Sequence, residues 1–422
     1  MACGDAALKR HDVYSGYLAL NEKIDPEKYV LVDFSFEPAG DPRNDAQALA
    51  AESSIGTWTE LTTMKPSIRK RLAARVFRLG KNRASVAYPL DIFELGSIPQ
   101  FLSDAEGNIF GMSEINALRL LDIRFPRAYA RSFKGPQLGL EGCRRIVGTQ
   151  RSRRPHAGTI IKPKIGLGPR EHAAVAYEAW AGGCDFVKDD ENLTDQKFNP
   201  FKERVIRTLD ALDKAQEETG EKKIYAANIT AETGEMLKRA DFVKQHGGNC
   251  IMVDVFTAGF SALQTVRNRN YGMIIHGHRA MHAAFTRNKR HGISMLSLAK
   301  LLRLAGVDQL HTGAIVGKME GNVREILEMN EWLRSDFYGL KPVLPVASGG
   351  VDPTRVPRLL DLAGTELVIN AGGGIHGHPC GTRAGARALR QSMDAWMAGK
   401  SLRDYAKTHV ELGQALEEWG NR

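Results

Sequence analysis

From residue 158 onward the chain carries eight short apolar runs rich in β-branched residues: "GTIIKP" (158–163), "CDFVK" (184–188), "KIYAANIT" (223–230), "NCIMVDV" (249–255), "GMIIH" (272–276), "VDQLH" (307–311), "PVLPVA" (342–347) and "ELVINA" (366–371). Helical patterns lie between most of them. Met295, Leu298, Ala299 and Leu302 fall at i, i+3, i+4 and i+7 with Gly306 placed to stop the helix, and Leu389, Met393 and Trp396 repeat the stripe before Gly399. Short buried strands, each followed by a crossover segment, predict a closed parallel (β/α)8 barrel. An open doubly wound sheet fits less well, because no Gly-x-Gly-x-x-Gly follows the first run.

A different rhythm precedes residues 134–157. "YVLVDFSFEPAG" (29–40) and "ASVAYPLDIFE" (84–94) read as strands, and "DAQALAAESS" (45–54) and "SEINALRLLDIRFP" (113–126) as helices. The expectation is a smaller α+β domain over residues 1–136 and a barrel over 137–422.

Composition removes several function classes. Cys3, Cys143, Cys184, Cys250 and Cys380 show no Cys-x-x-Cys spacing, so neither a disulfide framework nor a zinc ribbon is expected, and a reducing cytoplasm fits. "MACGDAALKRHD" lacks the apolar run of a signal peptide, and no stretch of about 18 apolar residues could cross a bilayer. The net charge of +9 raises the question of nucleic acid, but basic residues are dispersed outside "RRIVGTQRSRRP" (144–155), which reads as a solvated connecting segment. No clustered basic groove interleaved with aromatics accompanies it. An anionic small molecule accounts for the charge equally well.

In a (β/α)8 barrel the strand ends and the loops after them build the active site, so polar residues following each apolar run are the candidates for chemistry. Here these are Lys162 and Lys164; Lys188, Asp190 and Glu191; His276, His278 and Arg279; His311; Ser348, Gly349 and Gly350; and Gly372, Gly373 and Gly374. Each alone has a dull explanation, but together they converge on one rim. Asp190 and Glu191 are hard oxygen donors too few for a full cage, which suits Mg²⁺ completed by water, substrate or another anionic ligand. Glycine-rich turns after the seventh and eighth strands expose backbone N–H groups that favour phosphate, and Arg279, His311, Lys318, Lys162 and Lys164 add enough positive charge for two. "HTGAIVGKMEGN" (311–322) sets Gly313, Gly317 and Gly321 around Lys318, the composition of a hinged loop. Asp189, between the proposed ligands, should face the other way by strand alternation and act as a structural partner.

"GTIIKPKIGL", "GGCDFVKDDEN", "HGHRAMHAAFTR", "HTGAIVGKMEGN", "PVASGG" and "AGGGIHGHP" resemble, in order and position, the large subunit of ribulose-1,5-bisphosphate carboxylase/oxygenase (RuBisCO). "AESSIGTWTEL" (51–61) and "EGNIFGM" (106–112) are similar to its ferredoxin-like α+β N-terminal domain, and the chain is most similar to the archaeal-type, form III branch. The resemblance implies that Lys188, as a CO2-derived carbamate, binds one Mg²⁺ with Asp190 and Glu191. CO2 then adds to a Mg-bound enediolate of ribulose 1,5-bisphosphate, yielding two 3-phosphoglycerate, with O2 as a competing substrate. It further implies that Lys318 steadies the new carboxylate, Lys164 assists near the metal, His278 is the base for hydration and Lys162 protonates the final carbanion. One phosphate would contact Thr57, Trp58, Lys318, Gly350, Gly372 and Gly373, the other Arg279, His311 and Ser348, with Gly349 also in the substrate site. Glu52, Thr57, Trp58 and Asn108 would complete the site of a neighbouring subunit. The implied assembly is a homodimer or ring of dimers without a small subunit; for Trp58, core packing is the competing reading.

Met319, Gly277, Asn370 and Ala371 depart from the plant pattern. The rival within the same fold is a RuBisCO-like enolase, isomerase or decarboxylase of another sugar phosphate. Such relatives lose several carboxylation residues, whereas Lys162, Lys164, His278, His311, Lys318 and Ser348 are all present here.

Overall fold

Val30, Val32, Phe34 and Phe36 alternate along strand β1 (Tyr29–Pro38), and all four are fully buried, which fixes one face of that strand against a core. In the computed structural model, which describes residues 14–316 and 322–420, β1 lies at the centre of a mixed sheet. Its other strands are β2 (Arg75–Gly80), β3 (Arg83–Pro89), β4 (Ile115–Arg124) and the short β10 (Gly292–Ile293), in the order β10-β4-β1-β3-β2. The chain forms two compact units, and this sheet belongs to the one built from Met1–Phe133 and Met281–Leu301.

The segment 113–126, expected as a helix, is instead the strand β4. Its Ala, Leu and Arg residues favour helix locally, but β4 pairs with β1 on one edge and β10 on the other and buries Ala117, Leu118, Leu120 and Ile123. Register shifts opposite Asp33/Phe34 and Glu37/Pro38 break its period-two pattern, which explains the helix-like spacing. In the same unit the helix Pro42–Glu52 starts at Asp41, whose side chain accepts from the N–H groups of Arg43 and Asn44, and ends by presenting Glu52.

The second unit, Lys134–Ala280 with Leu302–Arg422, contains a closed parallel barrel of eight strands. They are β5 (His156–Ile160), β6 (Phe186–Lys188), β7 (Ile224–Asn228), β8 (Cys250–Asp254), β9 (Ile274–His278), β11 (Gln309–His311), β12 (Leu344–Ser348) and β13 (Val368–Asn370). Every apolar run read from the sequence supplies one strand. The first strand ends at Ile160, so Lys162 and Lys164 stand in the loop beyond it, whereas β9 extends to include His278. Helices stop where glycine permits, with Gly306 at φ +106° after Met295–Ala305 and Gly399 at φ +66° after Gly381–Met397.

Phe186, Ala226, Met252, Val346 and Val368 fill the barrel, and Leu140, Cys143 and Val147 of the helix Gly139–Val147 join that core. The Asp308 carboxylate ties this helix to the N-terminal ends of the strands by accepting from the N–H groups of Leu138, Gly139 and Ile275. The basic run 144–155 is only in part the solvated segment expected, with Arg145 and Arg151 exposed and others of its arginines engaged. Arg144 is fully buried and donates to the carbonyls of Arg154 and Thr365, Arg154 forms a two-pronged ion pair with Asp185, and Arg153 pairs with Glu141 and Glu366. Carbonyls and carboxylates beside this connection satisfy Arg144, Arg153 and Arg154. No helix among the described residues is long and apolar enough to cross a membrane.

Candidate active site

Alternation along β6 sends Phe186 and Lys188 into the barrel and Val187 outward, so Asp189 leaves on the outer side. Asp189 is fully buried among four partners: His172 Nε2 at 3.0 Å, Arg204 Nε at 3.1 Å, the Tyr225 hydroxyl at 2.8 Å and the Asn228 N–H at 2.9 Å. Burial pushes its pKa up, but Arg204 and His172 outweigh that and hold it well below the usual carboxylate range. This is the structural role expected for Asp189.

Asp190 and Glu191 turn back toward Lys188. Lys188 is 1% exposed, and its Nζ donates to the Asp189 carbonyl at 2.9 Å and to Glu191 Oε2 at 3.4 Å. Lys162 Nζ donates to Asp190 Oδ2 at 2.8 Å, Lys164 Nζ lies 3.7 Å from Glu191 Oε1, and His278 Nε2 lies 3.6 Å from Glu191 Oε2. Burial lowers the pKa of Lys188 against the opposing pull of Glu191, Asp190 and Asp254. For Glu191, burial raises the pKa, but Lys188, His278 and Lys164 bring it down to about 2.

Two carboxylates thus face three lysines. No group of three His, Cys, Asp or Glu side chains among the described residues is arranged to hold a metal. Asp190 and Glu191 have the hard oxygen chemistry Mg²⁺ requires, and the buried Lys188 Nζ lies 3.4 Å from Glu191 Oε2. The two carboxylates fit a hard divalent cation that takes its remaining ligands elsewhere.

Opposite this cluster, His311 Nδ1 is 2.7 Å from Ser348 Oγ. Arg279 lies beside Gly313, where any Cβ would fall 2.6 Å from the guanidinium, and burial lowers the Arg279 pKa to about 10. The turn after β12 needs glycine, since Gly349 and Gly350 have φ of +109° and +72°. A Cβ on Gly372 would sit 3.3 Å from Lys162 Cε, so the turn after β13 borders the lysine that follows β5. Gly373 opens the short helix after that turn and is exposed.

In the other unit, Asn108 Nδ2 donates to Glu52 Oε1 at 3.2 Å, which joins two of the residues selected from sequence. Thr57 is half-buried. Trp58 is 72% exposed, so the core-packing alternative for it is wrong. Lys318 and Met319 lie outside the described residues.

Residues 18–129 match the family described as ribulose bisphosphate carboxylase large chain, N-terminal domain, and residues 142–419 match its catalytic domain. The chain belongs to the RuBisCO large-chain family. It is similar to ribulose bisphosphate carboxylases of Methanocaldococcus jannaschii (48% identity, 89% of this chain and 93% of the relative) and Pyrococcus abyssi (49%, 93% of each). Among solved structures it is similar to an octameric RuBisCO from Pyrococcus horikoshii in complex with sulfate, at a TM-score of 0.93 and 48% identity over 96% of this chain and 97% of that one. A dimeric archaeal RuBisCO from Hyperthermus butylicus aligns at a TM-score of 0.90 and 43% identity over 97% of this chain and 99% of that one.

Within this RuBisCO-family barrel, several polar groups around the site were not singled out from sequence. Asp254, at the end of β8, accepts from or orients His278 Nδ1 at 3.1 Å. Asn228, at the end of β7, reaches the carbonyls of Asp190 and Glu191 at 3.4 and 3.3 Å. Both close their strands on the inward register, and that position was the available signal. His172 and Arg204 come from helices and carried none.

Proposed function

We propose that this chain is a Mg²⁺-dependent ribulose-1,5-bisphosphate carboxylase with oxygenase side activity, acting in the cytoplasm. The observation that carries the reading is the placement of Lys188. It is an amine buried to 1% exposure, its pKa lowered by burial, and it stands against two carboxylates one ligand short of a metal site.

In its neutral form Lys188 Nζ attacks CO2. The new N–C bond gives a carbamate and releases one proton, so a neutral amine is replaced by an anion at the position where one is needed. Lys188 as carbamate, Asp190 and Glu191 would hold one Mg²⁺, which when bound polarises the carbonyl and neighbouring hydroxyl of the sugar bisphosphate. The carbamate oxygen then takes the carbon-bound proton to form the enediolate, which attacks a second CO2.

Lys164, 56% exposed, extends from the loop after β5 to assist at the reacting oxygens, and Lys318 steadies the new carboxylate. His278 takes the proton of the water that hydrates the keto group. Its ring is oriented by Asp254 on one side and faces Glu191 on the other. After carbon–carbon cleavage Lys162, held at 2.8 Å from Asp190, protonates the carbanion, and two 3-phosphoglycerate leave. Arg279, His311 and Ser348 bind one phosphate; Gly350, Gly372 and Gly373, with Lys318, Thr57 and Trp58, bind the other, and Gly349 also lines the substrate site.

Glu52, Thr57, Trp58 and Asn108 serve the barrel of a partner subunit in a homodimer that has no small subunit. The exposure of Trp58 and the dimeric Hyperthermus relative support this, and the octameric Pyrococcus relative is consistent with rings of dimers. No observation favours an enolase, isomerase or decarboxylase.

The test is incorporation of labelled CO2 into 3-phosphoglycerate from ribulose 1,5-bisphosphate, dependent on Mg²⁺ and abolished in Lys188→Ala. Metal-loaded, CO2-activated protein that fixed no label while turning over another sugar phosphate would overturn the reading.

A further inference from the structure

Ser348, His311, His276 and Gln309 form an unbroken hydrogen-bonded chain from the rim of the barrel into its interior. Ser348 Oγ meets His311 Nδ1 at 2.7 Å, His311 Nε2 meets His276 Nε2 at 2.8 Å, and His276 Nδ1 meets Gln309 Oε1 at 2.8 Å. His311, His276 and Gln309 are 2%, 0% and 0% exposed.

Burial favours the neutral form of both imidazoles. Burial is the largest influence on each and drives both pKa values well below the ordinary 6.5. His278, Lys188 and Arg279 push that of His311 further in the same direction, as does His276, and Gln309 opposes the shift at His276 only in part.

A neutral imidazole has one N–H and one bare nitrogen, so two in series carry a direction. An amide oxygen can only accept. Gln309 Oε1 therefore places the His276 proton on Nδ1 and leaves Nε2 bare. That nitrogen accepts from His311 Nε2–H, which leaves Nδ1 as the one basic atom of His311, facing Ser348. The Ser348 hydroxyl hydrogen is then spent inward on His311, and the serine presents only lone pairs to the site. A sulfate or phosphate dianion, itself acceptor-only, finds no donor there. One added proton changes this. On His311 Nδ1 it makes an imidazolium that donates to Ser348 Oγ and to His276 Nε2, and it frees the serine O–H to turn outward to the anion. The chain beyond His311 is unchanged.

We propose that Gln309 is a positioning residue that aims the basic nitrogen of His311 at Ser348, so that binding of a tetrahedral dianion there takes up one proton from solvent. The inference rests on the reading of Ser348 as a phosphate ligand made above. Gln309 Nε2 faces the Cys143 thiol, where its hydrogen bonding opposes the rise that burial gives the thiol pKa, so Oε1 is the only atom of this amide engaged in the chain.

Sulfate alone is the probe, because unlike phosphate it does not titrate near neutral pH. Calorimetry in two buffers of different ionisation enthalpy gives the protons taken up per sulfate near pH 6.5, the ordinary histidine value. The wild-type protein is expected to take up about one. In Gln309→Met, of similar volume but with no acceptor oxygen, His276 is free to adopt the other tautomer and pass a proton-neutral donor path to Ser348. Sulfate should still bind there, with uptake close to zero and affinity retained toward higher pH. A merely structural role for Gln309 predicts weaker binding with unchanged uptake.

Imidazole ¹⁵N spectra of the wild-type protein give a second readout that needs no variant. His311 should pass from one protonated nitrogen to two as sulfate is added. No change at His311, or a swap of its single proton from Nε2 to Nδ1, overturns the proposal, as does equal uptake in wild type and Gln309→Met. Neither measurement requires turnover, so failure of carboxylation and failure of this inference are distinguishable.

Discussion

Arg204 and Asp189 form an ion pair in which neither side chain is exposed, with Nε 3.1 Å from Oδ2. The remaining oxygen capacity of Asp189 is taken by His172, Tyr225 and the Asn228 N–H, which anchors the outer side of the strand end whose inner side carries Lys188 and whose continuation carries Asp190 and Glu191. The "KDDE" run thus divides by direction into one carboxylate that fixes the backbone and two that face the lysine.

Removing the Asp189 charge leaves Arg204 buried without compensation. Asp189→Asn should lose about 3–5 kcal/mol of stability, the cost typical of breaking one partner out of a buried pair. Urea unfolding checks this. Lys188→Met, which replaces a buried amine with an apolar side chain of similar length, should leave stability nearly unchanged while abolishing CO2 fixation. If both variants unfolded at the wild-type urea concentration, the assignment of Asp189 as an anchor would be wrong.

Asp185 supplies a pH-dependent contribution at the opposite end of β6. It accepts from both Arg154 guanidinium nitrogens at 2.6 and 2.7 Å and from the Ala157 N–H at 2.8 Å. Burial raises its pKa, but Arg154, with Arg390 behind it, brings it down to about 2 from the ordinary 3.8. The folded value is depressed, so this stabilisation, on the order of 2 kcal/mol, is fully present above the unfolded value and is lost as pH falls toward and through the folded one. The stability difference between wild type and Asp185→Asn should therefore shrink between about pH 4 and pH 2; a difference constant over that window would contradict it.

Asp254 and His278 make a separate prediction about catalysis. Their Oδ1–Nδ1 distance of 3.1 Å fixes the imidazole with Nε2 toward Glu191, the orientation needed if His278 is the base proposed above. Asp254→Asn keeps the size but weakens that hold, and misplacement of a catalytic group by about 1 Å costs on the order of 100-fold in rate. The loss should fall on kcat, with the KM for ribulose 1,5-bisphosphate changed much less. A rise in KM at unchanged kcat would show that Asp254 serves substrate binding instead.

The barrel was legible because strands buried on both faces in a parallel sheet read as near-continuous apolar runs, and all eight stood out in that way. β4 was not, because its helix-forming residues are overridden by pairing on both edges and its register shifts blur the alternation. In the site, Lys188, Asp190 and Glu191 were visible because charge follows an apolar run directly. Asp254 and Gln309 lie on inward positions within such runs, and beyond that register nothing local separates a polar group in a buried network from an ordinary core residue. In the basic run at 144–155 the pairing of Arg153 and Arg154 was hidden for the converse reason, since Asp185, Glu141 and Glu366, which pair with them, lie outside the run, and two of these are distant in sequence. Trp58 is a third case: a large aromatic reads as core, and its 72% exposure follows only from the fold.

That exposure, with the Glu52–Asn108 hydrogen bond of 3.2 Å, leads to the prediction about the assembled enzyme. If Glu52, Thr57, Trp58 and Asn108 complete the barrel of a partner subunit, each site draws Lys188 from one chain and Asn108 from the other. Lys188→Ala and Asn108→Ala proteins should each be inactive or nearly so. In a dimer that pairs one of each, one site carries both lesions and the other carries neither. A statistical exchange of equal amounts places half of the chains in such mixed dimers, and activity should recover to about one quarter of wild type. Exchange can be followed independently by native mass spectrometry of the mixed dimer. If mixed dimers formed and activity stayed at the level of the parents, each site would be built within a single chain.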